Sequence, residues 1–274
     1  MPSTLAPSVP APAALAAGTL AAGTLPMGMP ASPPLPRQRR VARPPASVLL
    51  AVLWIALMLA VALGADAIRP YGITAIDLRH RLSPPVGLGG TWAHLLGTDE
   101  LGRDVLSRLI VSIRASLLIA FGATAIAAVV GTTLGLLAAQ FRGLVEQVVL
   151  MLIDAQAALP FLVMALAVLA FLGDSLTLFV CLMGFYGWER HARIARGLAI
   201  AAGTQGYAAA VRQLGARPLR VHLWHILPNI ASTLIVSATL SFPEIVLQES
   251  GLSFLGLGVQ PPGTSLGTMV GYGR

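Results

Sequence analysis

The sequence predicts an all-α integral membrane protein with five transmembrane helices and a disordered amino-terminal extension. Three observations carry that prediction. The 274 residues are 56% hydrophobic and 11% charged, with a mean hydropathy of +0.79, whereas a soluble chain carries about 25% charged residues. Several apolar runs approach or exceed the ~18 to 20 residues that cross a bilayer as a helix. The alternating segments of about ten residues that build a membrane barrel are not evident.

Taken in order, residues 1–46 are rich in Ala, Pro, Gly and Ser and end in Arg37, Arg39, Arg40 and Arg43. Such a composition buries no core, so a disordered cytoplasmic extension is expected. The run Val48 to Leu63 follows the Arg cluster as an uncleaved signal anchor, giving a first transmembrane helix over 47–64. Residues 65–113 contain Pro70, Pro84 and Pro85, and they balance Arg69, Arg79, Arg81, Arg103 and Arg108 against Asp66, Asp77, Asp99, Glu100 and Asp104. An extracytoplasmic loop is expected there. The core, 114–274, holds four further spans at about Ser116 to Ala139, Val148 to Phe171, Ser175 to Trp188 and Ile226 to Leu247. The third of these is short, so its helix continues into Arg-bearing turns where Arg193 and Arg196 snorkel to the interface. A cytoplasmic loop at about 189–225 separates the last two. Gly131 and Gly135 form a small-xxx-small pair suited to packing within the chain.

Arginine counting sets the orientation. Eleven Arg lie in loops on the amino-terminal side, Arg190, Arg193 and Arg196 included, against seven on the other, which makes the amino terminus and the 189–225 loop cytoplasmic. All 18 basic residues are Arg and none is Lys, so the chain lacks the lysine that a nucleotide-binding P-loop requires. In so apolar a chain the net charge of +7 reflects this inside bias rather than nucleic-acid binding. Cys181, the single cysteine, is expected as a buried small hydrophobe in an apolar run. The five histidines fall in loops or at loop edges, no zinc-type spacing occurs, and neither Gly-x-Ser-x-Gly nor His-Glu-x-x-His is present. No catalytic residue and no metal ligand is assigned.

Three segments are more specific. Between Gly206 and Asn229 the residues suit a short small-residue helix closed by Gly215, with Pro218 opening the next helix and Pro228 near the first turn of the following run. This segment resembles the coupling loop of ATP-binding-cassette (ABC) importer permeases. Ala209, Ala210, Val211, Gly215, Leu227 and Pro228 fall at the family spacings, while the family Glu is Ala209 and the family Ile position holds His225. Leu96 to Ile110, with Gly97, Thr98, Asp99, Gly102, Arg103 and Asp104, looks like the signature before the second span in dipeptide, oligopeptide and nickel importer permeases. Asp99 and Arg103 stand one helical turn apart there, placed to pair or to cap a short helix. Glu249 to Pro262 is similar to the segment after the fifth span of the same group. Gly251, Gly256 and Gly258 suit irregular backbone covered by protein or by a water-filled cavity.

The resemblance implies the ABC importer permease fold, with six spans in the family against five here. The missing one, of about 20 residues, makes a truncated fragment or a lost helix the expectation. It implies a non-catalytic subunit that binds no cofactor, with ATP and Mg held by two ABC ATPase subunits. Those would dock on Tyr207, Ala209, Ala210, Val211, Arg212, Leu214, Gly215, Ala216, Arg217, Leu227 and Pro228. A homologous second permease completing a heterodimer, an extracytoplasmic substrate-binding protein and membrane lipid are the other partners implied, in the bacterial cytoplasmic (inner) membrane; nucleic acid is not expected. Di- or oligopeptides or related small solutes are the expected cargo, with nickel or a metal chelate as the alternative. A secondary transporter is the rival of another class, but it would need ionisable relays deep in several spans. Asp154, Glu244 and Glu249 are the pathway candidates. Glu244 carries two readings, facing the substrate or reaching the headgroups.

Overall fold

In the computed structural model, residues 45–173 and 175–273 are described; the expected extension over 1–46 lies almost wholly outside them. Helix α1 (Ala46–Leu63) is apolar all round, and only Ala62 is buried, as suits a helix facing lipid. A single turn, α2 (Ala65–Ile68), leads into the 69–104 segment of turns and short 3-10 stretches.

Helix α3 (Val105–Gln140) is the axis of the bundle. Its 36 residues rise about 54 Å, and it begins at Val105, well before the boundary at 114 that the charge pattern indicated. Asp104 causes that early start: its carboxylate accepts from Ser107 N at 2.8 Å and caps the helix. The side of α3 that faces the bundle is made of small residues, Ala120, Ala123, Ala127, Gly131, Gly135 and Ala138. A β-carbon at Gly131 would stand 2.4 Å from the Trp188 carbonyl, and one at Gly135 equally close to the Ala192 carbonyl. The glycine pair therefore serves contact within the chain.

The run expected as one span from Val148 to Phe171 is broken. Helices α4 (Leu144–Ala157) and α5 (Phe161–Leu172) meet at 92° around Pro160. Pro160 lacks an N–H and has extended backbone, so it opens α5 rather than continuing α4. Helices α6 (Leu176–Tyr186) and α7 (Trp188–Gly203) break at Gly187 and run along α3. The segment expected as loop from 189 is thus a packed helix as far as Gly203. Cys181 lies exposed on α6 instead of buried.

After α7 come the short helices α8 (Gly206–Gln213) and α9 (Pro218–Val221), then a π-helical turn at His222–Ile226 and α10 (Leu227–Phe254). His191, His222 and His225 are accordingly helical rather than in loops. Helix α11 (Leu266–Tyr272), opened by a capping box between Ser265 and Thr268, folds back on α10 and α3. Among the described residues three helices are long and apolar enough to cross a membrane: α1, α3 and the continuous stretch Pro218–Phe254. The bent α4–α5 pair makes four if it counts as one span. The α6–α7 pair is not one of them; its second half carries Glu189, Arg190, Arg193 and Arg196.

Candidate functional site

The signature at 97–104 folds into a clasp. Gly97 and Gly102 turn the chain with positive φ. Asp99 accepts from Leu101 N and Arg103 N at 2.9 Å each, from Arg103 Nε at 2.7 Å, and from the Arg108 guanidinium of α3. Thr98 accepts from Ser83 N at 2.9 Å and donates to the His80 carbonyl. Asp104 also holds His94 Nδ1 at 3.0 Å and Ser107 Oγ at 2.7 Å. The Arg108 guanidinium lies 5.4 Å over the Tyr272 ring, a cation–π contact tying α11 to the clasp. Burial of Asp99 works against its charged form, but the Arg103 N–H, the Arg103 guanidinium and the Leu101 N–H outweigh it and hold the carboxyl below its usual range. These charges are spent on one another, so the clasp is a structural element.

Glu249 belongs to the same construction. It is fully buried, accepts from Ser116 Oγ of α3 at 2.9 Å and from Ser253 Oγ at 2.7 Å, and Ser116 Oγ in turn accepts from Leu266 N at 3.2 Å. Its carboxylate pins α3, α10 and α11 together. The structure thus gives Glu249, named as a pathway candidate, a packing partner in Ser116 and Ser253.

A second polar cluster lies where both broken helices meet. Gln156 Nε2 donates to the Phe185 and Tyr186 carbonyls at 2.8 Å each, and its Oε1 accepts from Trp188 Nε1 at 2.7 Å. One side chain on the α4 break thus satisfies carbonyls freed at the α6–α7 break. Beside it Arg190 Nη1 meets Glu244 Oε2 at 2.5 Å, joining α7 to α10. Glu244 therefore faces Arg190 across the bundle rather than the headgroups. Lower on α7, Arg193 stands 3.9 Å from Asp154, which is largely exposed near the end of α4. Arg196 Nε donates to Glu146 at 3.0 Å. The level of this cluster follows from Gly131, which abuts Trp188 and His191. Gly131 stands about 13 Å before the end of α3 at Gln140, within a helix long and apolar enough to cross a membrane. Arg190 is thus no loop residue, as the arginine count had made it.

The third region is α8. Ala208 is buried and Val211 half-buried in the cluster that also holds Val221 and Ile226, while Ala209, Ala210, Gln213 and Leu214 are exposed. Gly215 ends the helix at φ +80°, a left-handed conformation that glycine adopts without strain, and Ala216 N closes the turn on the Val211 carbonyl at 3.3 Å. Arg217, exposed, precedes Pro218 at the first turn of α9. Two bonds fix α8 to the long helices. The Arg212 guanidinium donates to the Gly203 carbonyl of α7 at 3.0 Å, and Asn229 Nδ2 of α10 donates to Tyr207 Oη at 2.9 Å. Leu227 and Pro228 form the first turn of α10. A groove of about 570 Å³ between α3 and α10 is lined by Val129, Leu136, Leu223 and Leu234 among others and holds no Arg, Asp or Glu.

Sequence reasoning singled out the clasp and α8 but assigned no site role to Trp188 or Arg190. The available signals were a Gln two residues from Asp154 ahead of Pro160, and a Gly-Trp pair directly before a Glu-Arg pair.

Residues 131–273 match the family described as "Binding-protein-dependent transport system inner membrane component". The chain is 39% identical over 224 residues to the di/tripeptide transport system permease protein DppC of Pseudomonas aeruginosa, covering 81% of this chain and 74% of that one. It is 35% identical over 230 residues to the probable D,D-dipeptide transport system permease protein DdpC of Escherichia coli, covering 84% and 75%. It is 31% identical over 222 residues to the glutathione transport system permease protein GsiD of Pectobacterium atrosepticum, covering 81% and 72%.

Proposed function

The chain belongs to the binding-protein-dependent transport system inner membrane components, the permeases of ABC importers, and from that membership we propose that it forms half of an ATP-driven pathway for small peptides. In this reading it pairs with a homologous second permease. Two ATPase subunits, which bind ATP and Mg, dock on α8, and an extracytoplasmic binding protein delivers cargo at the end that carries the clasp. The amino terminus and α8 are then cytoplasmic, and the chain itself carries out no chemistry.

The observation that supports this most directly is α8: a helix with an exposed small-residue face, fixed at one end to α7 through Arg212 and to α10 through Tyr207. A push on α8 displaces both α7 and α10, and these are joined again by Arg190 and Glu244. Such a rigid lever transmits motion without any reacting group.

Leu214, 86% exposed beside this face, supplies the test. Leu214→Asp, co-expressed with the second permease and the ATPases, should lower ATPase recovery about tenfold while the second permease still co-purifies. That corresponds to ~1.4 kcal/mol, within reach of one buried apolar side chain. Undiminished recovery would refute docking on α8.

A further inference from the structure

On α7 the arginines recur every third residue, at Arg190, Arg193 and Arg196, and so stack along one side of the helix. Each has an acid on a neighbouring helix: Glu244 of α10, Asp154 of α4 and Glu146 of α4. The three pairs form a ladder descending from the level of Gly131 toward α8. The top pair leaves its side chains 51% and 46% exposed. Glu244 lies within the stretch Pro218–Phe254 that is apolar enough to cross a membrane, and charged groups half exposed within a span face a water-filled cavity or protein rather than hydrocarbon. The backbone breaks at Ala158–Pro160 and Gly187 lie at the same place, and interrupted helices at membrane depth are tolerated only where they line a cavity or are buried in protein.

The groups behind the top pair show what kind of cargo would complete it. A small cavity of about 30 Å³ is lined by Glu189, Arg190, His191, Ser241, Glu244 and Gln248 among others. His191 is 1% exposed. Its Nδ1 donates to the Gly187 carbonyl at 3.1 Å, which in the neutral imidazole leaves Nε2 as an acceptor, and that atom is buried with no hydrogen-bond partner among the described residues. Glu189 Oε2 is buried and unpartnered in the same way. Two buried acceptors beside a carboxylate, next to a guanidinium, form a site rich in acceptors for an ammonium and holding one strong donor for a carboxylate.

We propose that the Arg190–Glu244 pair is this chain's cargo contact and that it recognises the two charged ends of a short zwitterionic peptide. Arg190 takes the terminal carboxylate, and Glu244, with Glu189 and His191 behind it, takes the terminal ammonium. The second permease supplies the opposite wall. The proposal rests on the importer reading and adds to it the residues that read the termini.

The test uses the assembled transporter in proteoliposomes with its binding protein, ATP inside, and three probes: dialanine, N-acetyl-dialanine and dialanine amide. The wild type should take up dialanine in preference to both blocked forms. In Arg190→Gln the preference over the amide should fall about tenfold while the preference over the acetylated form remains, and Glu244→Gln should do the converse. The double exchange Arg190→Glu with Glu244→Arg keeps an ion pair, so a merely structural pair predicts wild-type discrimination. A terminus-reading pair predicts discrimination still altered although the complex assembles. Wild-type uptake with unchanged discrimination in both single variants overturns this proposal and leaves the importer reading standing. An assembled wild type that takes up none of the probes overturns the peptide-importer reading and this proposal with it.

Discussion

At the scale of single residues, Asp99 shows how the molecule spends charge outside the bilayer. It is burial that opposes its ionised form, and three donors on Arg103 and Leu101 that overcome it. A carboxyl whose folded pKa is depressed contributes stability that is present above its ordinary value of 3.8 and is lost as pH falls through the lower folded value. Protection of the 77–104 amides, taken relative to their intrinsic exchange rates, should therefore hold from neutral pH to about 4 and fall below it. In Asp99→Asn the protection should already be lower at neutral pH and should lose that acid step. Wild-type protection that is unchanged through pH 3 would show that Asp99 does not hold the clasp. The pairing of Asp99 with Arg103 was legible from their spacing. The role of Arg108 was not, because its other partner, Tyr272, lies far along the chain on α11.

At the scale of elements, what the sequence concealed are the breaks. Hydropathy averages over a window, so 148–171 read as one span although α4 and α5 meet at 92°. Conversely, the continuation of helix through Arg193 and Arg196 was legible, but with Arg190 they were still counted as loop arginines, because the acids that pair with Arg190 and Arg196 lie 54 and 50 residues away on α10 and α4. The short helix α8, by contrast, was legible, since Gly215 and Pro218 mark its end and the start of α9 locally. Gln156 holds the two breaks together. Gln156→Leu keeps similar bulk but leaves the Trp188 indole N–H and the Phe185 and Tyr186 carbonyls without this partner. At about 1–3 kcal/mol per buried polar group left unpaired, and about 2–4 °C per kcal/mol for a chain of this size, the purified protein should melt several degrees lower. An unchanged melting temperature would mean that the breaks are held by packing alone.

At the scale of the whole molecule, composition establishes the membrane class, and the segments at 96–110, 206–229 and 249–262 carry the family resemblance. The geometry supplies their mechanical relation. The clasp and Glu249 fasten α3, α10 and α11 at one end, α8 hangs from α7 and α10 at the other, and the ion-pair ladder runs between. In the proposed importer, force enters at α8. A single cysteine at Ala210, in a chain whose own Cys181 is replaced by Ala, tests it by cross-linking in the assembled transporter, with a cysteine at the exposed Trp92 of the opposite end as the comparison. Position 210 should capture an ATPase subunit in a manner that changes with ATP, and position 92 should not. Capture of the ATPase from position 92, or none from 210 in an intact complex, would contradict it.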